Sequence, residues 1–170
     1  RESDIIVIGS DTIVTLAGEI YGKPSDPEEA KRMLSKLQGN THVVYTGLAC
    51  VSVAGAHRLQ NADDIQSNMP DAGKIVECGR FRIERRDDRQ LILVGHTENM
   101  VTFRPMSNEE IQAYVQTGDP LDKAGSYGIQ GIGSVFIEKL EGDFYSVVGL
   151  PLSLLYQMLV QLGIHPISQA

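Results

Sequence analysis

The run from Thr41 to Ala54 constrains the fold most, because Val43, Val44, Tyr45, Leu48, Val51 and Val53 crowd into it without a helical period. β-branched and aromatic residues fit a pleated, half-buried surface, so the run predicts one long strand, and its length suggests a central position. Gly47 within it reads as a bulge or a point of close approach. A second apolar run, Ile5-Ile6-Val7-Ile8, ends in Gly9-Ser10-Asp11-Thr12. It predicts a buried strand that delivers Asp11 to its exposed end, where α/β proteins place their chemistry. Thr12 to Leu16 continues extended, Ala17-Gly18-Glu19 makes a hairpin turn, and Ile20-Tyr21 returns to Gly22-Lys23-Pro24. Lys23 is thereby expected beside Asp11.

Helices are sparser. Ser25 or Asp26 can cap a helix with Pro27 in its first turn, an apolar face of Ala30, Met33, Leu34 and Leu37, and a stop at Gly39. Ser107-Asn108-Glu109-Glu110 matches a capping box, followed by Ile111, Tyr114 and Val115 as a buried face and Gly118-Asp119-Pro120 as the stop. After Gly149-Leu150-Pro151, a last amphipathic helix carries Leu154, Leu155, Met158, Leu159 and Leu162 and ends at Gly163. Between these lie a polar stretch from Gly55 to Gly73, read as a loop, and two extended segments, Lys74 to Arg85 and Gln90 to Phe103, joined by an Arg86-Asp87-Asp88-Arg89 tip. Arg80, Arg82, Arg85, Arg86 and Arg89 cluster there, but Glu84, Asp87 and Asp88 dilute their field, which favours a solvated hairpin over a nucleic-acid arm. Val135-Phe136-Ile137 predicts a further strand. Strands and helices alternate irregularly, so the expected class is α/β, a mixed sheet with helices packed on it.

A chain of 170 residues can bury a proper core and is expected to form one domain, residues 1–170. Its formal charge of -7 argues against general binding to nucleic acid or to an anionic membrane, so an anionic ligand must be met by a few placed lysines. No apolar run has the length of a bilayer span, and the start has no signal-like segment, which predicts a soluble, cytoplasmic protein. Cys50 and Cys78 lack metal-ligand spacing and read as reduced and structural; His42, His57, His96 and His165 are scattered.

Two clusters can carry chemistry. Asp11, with Thr12 beside it, has the residue type needed for a general base on water or for a divalent ion. In Asp122-Lys123-Ala124-Gly125-Ser126-Tyr127-Gly128-Ile129-Gln130-Gly131, Lys123 supplies a point charge for phosphate and Gln130 a donor and an acceptor for a base edge. Neither a Walker loop nor a dinucleotide fingerprint fits the glycine spacing. A glycine-rich connection with a structural Asp122-Lys123 pair is the bland alternative.

Taken together, Gly9-Ser10-Asp11-Thr12, Gly22-Lys23-Pro24, Thr41-His42 through Tyr45-Thr46-Gly47, Val101-Thr102-Phe103-Arg104, Gly118 to Gly131, and Glu141-Gly142-Asp143 through Gly149-Leu150-Pro151 resemble the Maf family of nucleotide pyrophosphatases. These relatives of the inosine-triphosphate pyrophosphatase fold carry the blocks in the same order. The resemblance implies an elongated central sheet flanked by helices. It also implies hydrolysis of a nucleoside triphosphate to monophosphate and pyrophosphate with a divalent metal, usually Mg2+, in proteins that often form homodimers. It implies Asp11 as proton acceptor, Lys23 as a second catalytic residue and Lys123 near the phosphates, and Thr12 and Gln130 at positions of base choice; Asp122 is expected with Lys123 among the substrate-binding residues. Threonine and glutamine there resemble the subgroup acting on dTTP and UTP. The family pattern opens with a strand and a Ser-x-x-Arg turn that have no counterpart here, which implies a chain lacking that N-terminal segment. A non-catalytic nucleotide-binding or regulatory module is the alternative this leaves. Residues 55–99 exceed the family's usual connection and are expected as a loop and extended hairpin insertion.

Overall fold

The computed structural model describes residues 5–53, 73, 75–77, 79–86 and 90–167. Most of the expected Gly55–Gly73 loop, Cys78 and residues 87–89 of the hairpin tip lie outside them. In chain order the strands are β1 (Ile5–Leu16), β2 (Glu19–Tyr21), β3 (Thr41–Val53), β4 (Ile75–Glu77), β5 (Phe81–Arg85), β6 (Gln90–Phe103) and β7 (Ile137–Glu141). The helices are α1 (Pro27–Leu37), α2 (Asn108–Gln116), α3 (Phe144–Val148) and α4 (Leu152–Gln161). The sheet runs β2-β1-β3-β6-β5-β4, with β7 also paired to β6, so β3 is central as its length implies. The β1–β2, β4–β5, β5–β6 and β6–β7 pairs are antiparallel. The α/β architecture, a sheet with helices against it, is the one expected.

Local chemistry explains most boundaries. Ala17 and Gly18 both take positive φ, 52° and 83°, which gives the two-residue turn whose twist suits a hairpin. Asp26 caps α1 by accepting the Glu29 N–H, and Pro27 begins the helix. Ser107 and Glu110 form the full capping box of α2.

Three expectations are corrected. β1 does not end at Asp11 but runs unbroken to Leu16, and Ile5, Val7 and Ile8 are exposed. An apolar run records a capacity for burial, and the strand's hydrogen bonds do not stop where its composition changes. Lys74 to Arg85 is not one strand: Gly79, at φ +72°, turns the chain so that β4 folds back on β5. Val135 and Phe136 belong to a 3-10 turn, and the strand begins at Ile137. A short apolar run cannot by itself separate strand from helical turn.

The chain forms two compact units. The first takes residues 1–11, 47–96 and 150–170, the second 12–46 and 97–149. Leu48, Cys50, Phe81, Ile83, Leu91, Leu93, Leu154, Met158 and Leu162 make the first core. The second centres on Val14, Leu34, Leu37, Val44, Phe103 and Tyr114. Among the described residues no helix is long and apolar enough to cross a membrane.

Candidate functional site

After Gly118 the chain passes through three 3-10 turns, Asp119–Asp122, Ala124–Ser126 and Gly131–Phe136. Glycine at two places is imposed by packing. A Cβ on Gly133 would collide with the Tyr114 hydroxyl oxygen, and one on Gly125, already at φ +71°, would press on the Val14 side chain at 3.0 Å. The glycine density that reads as ligand approach is therefore partly the mark of a loop pressed against its own unit. Ser126, also at positive φ, directs its buried hydroxyl to Met33 Sδ at 3.1 Å.

Lys123 is the best-anchored charge of this loop. Its Nζ donates to the Asp119 carbonyl oxygen at 2.6 Å, to Asp119 Oδ1 at 3.3 Å and to Asp122 Oδ1 at 2.8 Å. The Tyr114 hydroxyl donates to Asp119 Oδ2 at 2.7 Å and accepts the Gly128 N–H at 3.2 Å. One hydrogen-bonded path thus ties the loop backbone to the ammonium group. Burial and the adjacent Asp119 raise the Tyr114 pKa, so the phenol keeps its proton. The Asp122 hydrogen bond raises the Lys123 pKa, and Lys123, followed by the more distant charge of Lys23, lowers that of Asp122. Lys23 arrives because the Gly22 carbonyl accepts the Gly125 N–H at 3.1 Å. Lys23, remote in sequence from Asp122 and Lys123, is therefore their neighbour in the second unit.

A second anchor holds the same loop. His42 Nε2 and the Tyr127 hydroxyl are 2.7 Å apart, and both rings pack edge-on against Phe103. His42 is 1% exposed and its Nδ1 has no hydrogen-bond partner. Burial brings its pKa down to about 4, so the imidazole is neutral near pH 7.

The remaining candidates sit as follows. Thr12 turns toward the core side with Val14, its hydroxyl 3.0 Å from that of Thr46. Thr46 donates to the Ser146 carbonyl at 2.7 Å, so in the pair with Thr46 it is Thr12 that donates. Asp11 is exposed within β1 in the first unit, and Gln130 is exposed at the end of the loop. Gly47 is not a point of close approach: a Cβ there would find only ordinary contact, and its carbonyl accepts the Ser10 hydroxyl at 2.9 Å.

Sequence reasoning did not find Asp119, Tyr114, His42 or Tyr127 as site-supporting residues. The spacing of Asp119 four residues before Lys123 carried a usable signal, whereas the aromatic residues read only as core. Arg104, part of a matching block, is committed to structure: it donates to the carbonyls of Val135 and Pro105 and pairs with Glu110 at 2.7 Å.

Comparison with known proteins agrees with this arrangement of blocks. The family described as Maf-like protein matches residues 1–162. A dTTP/UTP pyrophosphatase of Bacillus thuringiensis subsp. konkukian is 43% identical over 164 residues, covering 96% of this chain and 67% of that relative. One from Symbiobacterium thermophilum is 43% identical over 167 residues, covering 98% of this chain and 67% of the relative. Blocks, identity and coverage together lead to one conclusion: the chain belongs to the Maf family.

Proposed function

We propose that the protein is a nucleoside triphosphate pyrophosphatase, a hydrolase of acid anhydrides that cleaves dTTP and UTP to the monophosphate and pyrophosphate. The observation that carries this reading is the neighbourhood of Lys23, Asp122 and Lys123, assembled from two distant segments. The names of the relatives support the choice of dTTP and UTP.

Asp11 is assigned as the general base. It takes a proton from water as the water oxygen attacks the α-phosphorus and the α–β bridging oxygen departs with pyrophosphate. Lys23 and Lys123 offset the charge of the polyphosphate as it is redistributed. Thr12 and Gln130 are assigned to the base, where the Gln130 amide offers both a donor and an acceptor to a uracil-type edge.

Among the described residues no group of three or more His, Cys, Asp or Glu could hold a metal ion. Mg2+ is commonly held by one or two carboxylates and the substrate's own phosphates rather than by a protein cage. When bound, the ion would supply charge neutralisation at the phosphates. A cytoplasmic, homodimeric enzyme without nucleic-acid or membrane partners completes the reading.

Pyrophosphate release from dTTP and UTP with magnesium is the test. Asp11→Asn is expected to lower kcat by about 10²- to 10⁴-fold. Undiminished turnover would remove Asp11 from its role, and triphosphate binding without turnover in the unmodified chain would favour a non-catalytic nucleotide-binding module.

A further inference from the structure

Lys123 has three ammonium protons, and the structure gives each an acceptor: the Asp119 carbonyl, the Asp119 carboxylate and the Asp122 carboxylate. The two aspartates are unequal. The Asp119 side chain is 30% exposed, lies four residues from Lys123 and is held by the Tyr114 hydroxyl, which also carries the Gly128 N–H. The Asp122 side chain is 81% exposed, and Lys123 is its partner. We propose that Asp122 is an exchangeable place-holder for a substrate phosphate: an incoming phosphate oxygen takes over the proton that Lys123 gives Asp122, while Asp119 keeps Lys123 in position. The inference rests on the reading of Lys123 as a phosphate ligand.

Three observations converge on this role. An exposed ion pair is worth little, typically about 0–1 kcal/mol, so a polyanion can displace it at small cost. Asp122 also feels the more distant charge of Lys23, so two cations act on the carboxylate that a phosphate would displace. Asp119 contributes two acceptors at once, one of them a backbone carbonyl that cannot swing away from the turn. The assignment gives opposite roles to two carboxylates of one 3-10 turn, Asp119–Asp122. Asp119 is a positioning residue, and Asp122 competes with substrate.

Calorimetric titration with inorganic pyrophosphate, without divalent ions, separates these roles. Asp122→Asn is expected to bind about two- to fivefold more tightly than the unmodified chain, the equivalent of one exposed ion pair. Asp119→Asn is expected to bind more weakly, although it removes the same charge. A general effect of net charge would tighten both. Thermal melts establish folding; if Asp119→Asn does not fold, Tyr114→Phe, which leaves every charge in place, is expected to weaken binding in its stead. Asp122→Asn binding no more tightly than the unmodified chain, or Asp119→Asn tightening as much, overturns the proposal while Lys123→Met still abolishes binding. If Lys123→Met binds pyrophosphate as well as the unmodified chain, the phosphate reading of Lys123 falls first, and this inference with it.

Discussion

The two compact units differ in what they bury. Among the described residues, the buried side chains of the first unit, from Leu48 and Cys50 to Leu154, Met158 and Leu162, are apolar. In the second, among the described residues, His42, Thr46, Thr97, Asn99, Ser126 and Ser146 are buried as well. Asn99 is typical: its Oδ1 accepts the Asp143 N–H at 2.7 Å, and Gly142 has no room for a Cβ beside it. Apolar burial is non-directional and stabilises many arrangements alike, whereas buried polar groups are costly unless each meets its partner. The unit that carries Lys123 is thus the one whose interior specifies a single geometry for its loop.

The comparison can be broken first where the effect is largest. Leu154 is fully buried in the first unit, and Leu154→Ala is expected to destabilise by about 2–5 kcal/mol. Urea unfolding measures that loss, and KM for dTTP in the folded fraction is expected to stay near that of the unmodified chain. A matching change in KM would show that the apolar core also sets the loop.

His42 sharpens the contrast through pH. Its pKa falls from an ordinary 6.5 to about 4 in the folded protein. The unfolded chain therefore binds the extra proton between these values, and stability falls as pH drops from about 6.5 toward 4. Above pH 6.5 the contribution is fully present; complete protonation costs roughly 3 kcal/mol at the standard free energy per pH unit. His42→Gln is expected to flatten this dependence between pH 6.5 and 5, measured by denaturant unfolding at a series of pH values. An unchanged profile would mean that the imidazole can charge where it lies.

The smallest effect is expected at Gly47, in the first unit, where the nearest atom to an added Cβ is the Asp11 carbonyl oxygen at 3.9 Å. Gly47→Ala is expected to leave stability within about 1 kcal/mol, with any change in the stabilising direction, since a strand glycine gives up more chain entropy than alanine. A loss of several kcal/mol would reveal a requirement at Gly47 like that at Gly133.

Much of the fold was legible because its signals are local. The Ala17-Gly18 turn, the Asp26 cap, the Ser107–Glu110 box and the glycine stops each depend on residues within a few positions. The break at Gly79 and the 3-10 turn through Phe136 were not legible, since both compete with equally good extended readings of the same short runs. At the candidate site Lys23, Asp122 and Lys123 were named from sequence, and the structure makes them neighbours. The path from Gly128 through Tyr114 and Asp119 was hidden, because a tyrosine on an apolar helix face gives no sign of what its hydroxyl will meet.

By itself the sequence determined most element types and ends, the family and the identities of the charged residues. Local propensity, capping chemistry and block order are properties of neighbouring residues and need no third dimension. Only the tertiary structure decided that one aspartate beside Lys123 is braced and the other exposed. That difference depends on burial and on hydrogen bonds between residues far apart in the chain.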